Sequence, residues 1–352
     1  MLLVVNAGSS SVKLAVFDAG LREVARTAVE GVHDHAKALA EGLARAGVAV
    51  ADLTAAAHRV VHGGGALLAP CRVTDTVLAG IEACVPLAPL HNPANLTGIR
   101  AVARLLPDLP QYASFDTAFH ATNPEVAVTY ALPLAERERG IRRYGFHGLS
   151  YAALVRVLAA RGPVPQRLLA CHLGNGASLC AIRDGRSVAT TMGYSPLDGL
   201  TMGTRAGAID GNAVLRLAEL HGVAGAAQIL NRDSGLVALG GSNDMRRLVP
   251  AGLAVAHFIY WAVRHAGSMV AAMGGLDAVV FTGGIGENDH RVRAGMIAGL
   301  EYLGAVLDPV ANAENAGVLH DPASSVAIWT VPAQEERQIA LEATVVMAGE
   351  GR

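Results

Sequence analysis

Lysine is nearly missing from this 352-residue chain: Lys13 and Lys37 are its only two. Aromatic residues make up only 4%, too few to build the stacking platforms that hold single-stranded nucleic acid. A net charge of -2 leaves no basic field for nucleic acid or an acidic membrane surface. The cysteines Cys71, Cys84, Cys171 and Cys180 show no C-x-x-C spacing and read as small, mostly core residues. No basic segment precedes the first apolar residues, so no signal peptide is expected. No uninterrupted apolar run is long enough for a bilayer. The longest, "AVAHFIYWAVRHAGSMVAAM", carries His257, Arg264 and His265 and reads as a buried helix. A soluble protein in a reducing cytoplasm is expected, without nucleic-acid or membrane partners.

What is present is a large apolar fraction, 52%, in a chain long enough for two domains. The stretch "VVNAGSSSVKLAVFD", residues 4 to 18, joins two apolar runs through a glycine-serine turn. It lacks the usual phosphate-loop pattern. "LLVVNAGSSSVKLAVFDAG" is echoed by "LLACHLGNGASLCAIRDGR", with Gly8 falling on Gly174 and Asp18 on Asp184. Both read as strand-turn-strand units. The echo predicts a duplicated protein in which two small-residue turns offer backbone amides to phosphate from either side. That layout resembles the superfamily of sugar kinases, heat-shock chaperones and actin.

Elsewhere, helices are expected over 34–46, 75–84, 150–161, 210–221 and 291–301. "HNPANLTGIRAVARLL" reads as a loop, an Asn cap near Asn95, then a helix. "PQYASFDTAFH" reads as a strand ending in a polar turn, and "DAVVFTGGIGEN" as a buried strand into a glycine loop. The last segment reads as a strand, a proline break and a closing helix. Alternation of strands and helices favours an α/β class.

Several polar residues stand in contexts suited to chemistry. Arg59 precedes glycines in "HRVVHGGG", and Arg205 sits in the nearly uncharged "GLTMGTRAGAIDG". Arginine in such turns suits bidentate capture of an anion, although a lone arginine more often makes a surface ion pair. Asp116 follows a short apolar strand, where it can orient a substrate, support a metal or cap a turn. His147 lies between Phe146 and Gly148, placed to donate to a developing charge or to serve structure. Glu335 marks a strand-to-helix junction, as a helix cap or a Mg²⁺ ligand.

The stretches "NAGSSSVK", "HRVVHGG", "PLAPLHNPANL", "FDTAFH", "YGFHG", "HLGNGAS", "MGTRAG", "SND", "FTGGIGEN" and "QEE" occur in an order that resembles the acetate kinase family. The resemblance implies two duplicated actin-like (ribonuclease H-like) domains with mixed sheets flanked by helices and the active site in the cleft. The first domain, 1–148 plus 338–352, would take the acyl substrate. The second, 149–337, would take the nucleotide and make homodimer contacts. The implied reaction is reversible, direct transfer of phosphoryl from ATP to acetate, giving acetyl phosphate and ADP, with Mg²⁺ or a substituting Mn²⁺.

The resemblance also implies roles. Arg59, Asp116, His147 and Arg205 would be catalytic, with Arg59 also binding the carboxylate. Val61, Leu90 and Phe146 would line the methyl pocket. Lys13, His172, Leu173, Gly174, Asn175 and Gly176 would serve the phosphates. Asp244, Met245, Arg246, Gly284, Ile285, Gly286, Glu287 and Asn288 would hold the adenosine. Asn6 and Glu335 would serve the metal.

The chain departs from the family in a shortened stretch before "HRVVHGG", in Gly211 for proline, in Ala94, in Gly65 for an acidic residue and in Gln334 for asparagine. Gly211 would loosen the loop after Arg205. Propionate or another short acyl substrate is the nearest alternative, since one methylene discriminates by only about 1–3 kcal/mol. A nucleotide-binding module with weak or no transfer activity is the other.

Overall fold

The computed structural model describes residues 1–350. They form two compact units. One holds Met1–Ala121, His147–Ala153 and the described part of Gln334–Arg352; the other holds Thr122–Phe146 and Leu154–Ala333.

In the first unit the opening runs become β1 (Leu2–Ala7) and β2 (Ser11–Phe17). They pair antiparallel, with Asn6 opposite Lys13. At the turn the Gly8 amide donates to the Ser11 carbonyl at 2.8 Å, and Ser9 and Ser10 lie exposed at the tip. Strands β3 (Glu23–Glu30), β4 (Ala55–Val60), β5 (Cys71–Arg72) and β6 (Gln111–Phe115) complete a sheet of order β3-β2-β1-β4-β6-β5. β4 runs parallel to β1, and β6 parallel to β4.

Both faces of this sheet are covered, which is why β1 reads as a continuous apolar run rather than an alternating one. Leu3 and Val5 join Leu39, Leu43 and Val102, carried by the helices His35–Ala46 and Asn92–Leu105. Leu2 and Val4 join Ile339, Ala340 and Ala343 of the closing helix Glu335–Glu350.

The second unit repeats the plan. β7 (Arg167–Leu173), β8 (Ala177–Arg183) and β9 (Arg186–Thr190) form an antiparallel meander. β10 (Ala278–Thr282) and β11 (Ala327–Thr330) add in parallel, giving the order β11-β10-β7-β8-β9. This is the path of β6-β4-β1-β2-β3, so the sequence echo is a structural duplication. The Gly174 amide donates to the Gly176 carbonyl at 3.0 Å, closing the second turn much as Gly8 closes the first.

Four local expectations change. The helix Asn92–Leu105 starts before Asn95, with Pro93 in its first turn, because Asn95 is used elsewhere rather than as a cap. Residues 283–288 form a short helix directly after β10, not a loop. Gly283 makes the junction at φ +79°, where a Cβ would lie 2.8 Å from the Leu173 carbonyl oxygen. The helix expected over 210–221 runs from Gly211 to Arg232 and breaks at Gly222, whose φ is 71°. By length and composition it is long and apolar enough to cross a membrane, although it is not an uninterrupted apolar run. Arg216 and Glu219, ion-paired at 3.0 Å, interrupt its apolar character in sequence.

Asp210 caps this helix, accepting from the Asn212 amide at 2.8 Å, so the turn at Gly211 is anchored without proline. The segment expected as one helix over 291–301 divides into His290–Ala298 and a single turn, Glu301–Leu303. All four cysteines are free, three of them buried.

Candidate active site

Parallel pairing of β4 with β6 sets Arg59 opposite Ser114 and delivers Asp116 just past the strand end. Arg59 Nη2 lies 2.7 Å from Asp116 Oδ2, and Nε lies 3.1 Å from both carboxylate oxygens. Asp116 is 2% exposed. Arg59 Nη1 lies 3.9 Å from Glu335 Oε2, at the start of the closing helix. Burial pushes the Arg59 guanidinium toward losing its proton, but Asp116 and Glu335 outweigh it and hold the charge on firmly. One edge of Arg59 is therefore spent on Asp116, and Nη1 carries no contact of hydrogen-bond length to Glu335.

The Asp116 backbone is fixed at both ends. Its amide donates to Val60 O at 3.0 Å, and its carbonyl accepts from Gly148 N at 2.8 Å. A Cβ at residue 148 would stand 2.3 Å from that carbonyl oxygen, so only glycine allows this approach. His147, next to it, takes a left-handed φ of 60°, a conformation that disfavours its side chain. The two asparagines of "HNPANL" support the opposite side. Asn95 accepts from Val61 N at 3.0 Å and donates to Ala7 O at 2.8 Å, tying the end of β1 to the residue after β4. Asn92 accepts from His62 N at 3.1 Å and returns a hydrogen bond to His62 O at 3.0 Å. Buried amides with both ends satisfied act as fixed spacers. The same burial leaves the glycosylation-like Asn95-Leu96-Thr97 without a usable amide.

Of the expected methyl-pocket residues, Val61 is buried in the first unit and Phe146 in the second. Leu90 is 46% exposed, in the turns ahead of Asn92. Asn6 is half-buried near the end of β1, and Lys13 is exposed on β2. Among the described residues no three His, Cys, Asp or Glu side chains converge as a metal cage.

In the second unit a cavity of about 510 Å³ is lined by Gly174, Asn175, Asn243, Asp244, Met245, Arg246, Gly284, Ile285, Asn288 and Asp289. Three separate sequence segments thus meet: the β7–β8 turn, the "SNDMR" turn and the glycine helix. Gly203 lets the Asn175 side chain settle, since a Cβ there would lie 2.0 Å from Asn175 Oδ1. Arg246 holds the Asp244 carboxyl down at about 2.

Besides Lys13 of the first unit, five expected members do not line the cavity. His172 is half-buried in β7, Leu173 is in the core, and Gly176 ends the turn without facing the cavity. The Gly286 carbonyl accepts from Arg293 at 2.9 Å. The Glu287 carboxylate accepts from the Gly283 and Ala333 amides at 2.9 and 3.0 Å, bracing the helix start. Asn243 and Asp289 were missed as pocket residues, although one lies within "SND" and the other directly follows "GGIGEN".

Arg205 contrasts with Arg59. Its Nη1 donates to Pro196 O at 2.9 Å and approaches Met202 Sδ at 3.4 Å. Among the described residues no carboxylate pairs with it. Burial, and then Arg232, push its guanidinium toward losing its proton. Such a cation gains most from an arriving anion.

Two sheets of one topology, each opening on a glycine-turned hairpin, define the duplicated α/β architecture of the actin-like class. The chain belongs to the acetokinase family, an enzyme family whose sequence model matches residues 22–341. It is 43% identical to the acetate kinase of Streptomyces avermitilis, an alignment covering 96% of this chain and 95% of that protein. That alignment spans 386 positions, more than the chain's 352 residues, so the relative carries segments absent here. Among solved structures, Porphyromonas gingivalis acetate kinase matches with TM-score 0.91 and 34% identity, over 98% of this chain and 99% of that one. A Francisella tularensis propionate kinase matches with TM-score 0.90 and 34% identity, over 97% and 98%.

Proposed function

We propose that the enzyme transfers the γ-phosphoryl group of ATP directly and reversibly to acetate, giving acetyl phosphate and ADP. Arg205 carries this reading: it is a half-buried, desolvated cation with neutral partners in an almost uncharged loop. The acetate kinases aligned over nearly the whole chain support acetate as acceptor.

Acetate is ionised near neutral pH and needs no strong base. It needs alignment with the γ-phosphoryl group and neutralised charge. Asp116 orients Arg59 through Nε and Nη2, leaving Nη1 for the acceptor or the transferring group. Arg205 stabilises charge on the phosphoryl oxygens, and His147 donates to the same developing charge. In the nucleotide's cavity, Gly174 and Asn175 take the phosphate side. Asp244–Arg246, Gly284, Ile285 and Asn288 take the adenosine. Lys13 supplies local charge beside the first hairpin.

Asn6 and Glu335 fit Mg²⁺ in the form that retains waters and is shared with substrate phosphates, which asks for only one or two carboxylates. Bound there, the ion would neutralise charge on the phosphates. The first unit is the acyl side and the second the nucleotide side.

A homodimer would cover the exposed apolar side chains of the second unit, where Leu215, Leu220, Val223 and Tyr260 are 63%, 56%, 80% and 65% exposed. The four free thiols suit a cytoplasmic setting.

The test is acyl hydroxamate formation by purified protein with ATP, Mg²⁺ and hydroxylamine. Acetate is expected to react best. The propionate kinase likeness supports a second reading, in which propionate is preferred. No hydroxamate with acetate, propionate or butyrate would end the kinase reading. Scattering-detected gel filtration tests the dimer: a monomer at micromolar concentration would refute it.

A further inference from the structure

We infer that Arg293, which lies outside the cavity, is a positioning residue that sets the glycine wall of the nucleotide site. This rests on the reading of the cavity as that site. Arg293 is 0% exposed, on the first turn of the helix His290–Ala298. Its guanidinium meets only neutral acceptors. Nε donates to Asn312 Oδ1 at 2.8 Å, and Nη2 to Asn312 O at 2.8 Å and Asn315 Oδ1 at 2.6 Å. Nη1 donates to Gly286 O at 2.9 Å.

A buried charge with no carboxylate hydrogen-bonded to it, and only Asp289 attracting it from one turn away, is an expensive way to fill space, and an apolar side chain of the same length would do that better. What the guanidinium supplies is a rigid planar fork with donors on two sides. One side grips a fixed scaffold, since Asn312 is itself buried and its Nδ2 donates to His290 O at 2.9 Å. The other side grips the middle of Gly283–Asn288, whose Gly284, Ile285 and Asn288 face the cavity. A six-residue, glycine-rich helix has little side-chain packing of its own to fix it. Without the fork the wall is free to shift against Asn243–Arg246, changing the width offered to the nucleoside.

The experiment is steady-state kinetics and ADP binding on Arg293→Met and Arg293→Lys, with folding checked by circular dichroism. For Arg293→Met, the ATP KM and ADP Kd are expected to rise about tenfold or more, the scale of one lost charged hydrogen bond. The acetate KM and the kcat at saturating ATP stay within about twofold, because only ground-state nucleotide binding is touched. Arg293→Lys is expected to recover part of the loss, since it keeps the charge but not the fork.

If Arg293→Met does not fold, Asn315→Gly is the replacement test. It removes only the acceptor and suits the left-handed φ of 53° at that position; a rise of about threefold in ATP KM is expected. A folded variant with unchanged ATP KM, or one whose ATP and acetate KM rise together, overturns the inference. Gly284→Val separates the two readings, because that position opens on empty space in the cavity. If it weakens ADP binding while Arg293→Met does not, the positioning role fails alone. If Gly284→Val also leaves ADP binding unchanged, the cavity is not the nucleotide site and both fail.

Discussion

Arg59 of the first unit lies against the buried Asp116, with Nη2 2.7 Å from Oδ2, whereas Arg205 of the second unit meets a carbonyl and a thioether. The first guanidinium is charged, oriented and half spent. The second is desolvated and still owed an anion. A carboxylate partner buys orientation at the cost of attraction, while neutral partners preserve attraction. A phosphoryl-transfer enzyme with an anionic acceptor and an anionic donor has use for both states.

The largest test of this contrast is catalytic. Arg205→Ala is expected to lower kcat/KM for hydroxamate formation by about 10²–10³-fold, the scale of losing one preorganised donor at a developing charge. Near wild-type rates would remove Arg205 from the chemistry.

Stability should divide the two arginines in the opposite sense. Arg59→Ala removes the ion pair of the buried Asp116 carboxylate, and about 3 kcal/mol is expected to be lost in urea unfolding. Arg205→Ala should change stability by no more than about 1 kcal/mol, since it removes a partly desolvated charge that has no paired carboxylate. Equal losses would mean that Arg205 is compensated as fully as Arg59.

The last test concerns the units as wholes. His58 and His62 of the first unit are buried and pushed down to about 4, His58 despite its 2.7 Å contact with Gln111. They stay neutral in the fold, while the unfolded chain takes up protons below about 6.5. Unfolding is therefore favoured as pH falls from about 6.5 toward 4, at about 1.4 kcal/mol per pH unit for a histidine such as His58. Burial also lowers His257 and His265 of the second unit, so the contrast is one of degree: hydrogen exchange at pH 5 against pH 7 should show first-unit peptides losing more protection than second-unit ones. Equal loss in both would refute the contrast.

Much of the architecture was legible in the chain. Gly8 and Gly174 marked two equivalent turns because a tight turn between apolar runs leaves few residue types free. The cavity was also legible in part, since Asn175, Met245 and Gly284 lie in short polar or glycine-rich stretches where packing has little use for them. Glu287 is turned away from the cavity. A side chain's direction depends on neighbours far along the chain, and Glu287 is claimed by the Ala333 amide, 46 positions away. Asn95 was mistaken for a cap because its partners, Val61 and Ala7, lie 34 and 88 positions distant.

By itself the sequence determined the duplicated strand-turn-strand plan, the two-sided burial of the sheets and which groups are available for anions. Those follow from local conformational preference and hydrophobic periodicity, which act over a few residues. Only the tertiary structure decided how each group is used. Arg59 and Arg205 occupy similar glycine-flanked stretches, and they differ because parallel pairing of β4 and β6 brings Asp116, 57 positions away, to one of them. Charge state and orientation are set by what arrives through space, at distances that the sequence does not encode locally.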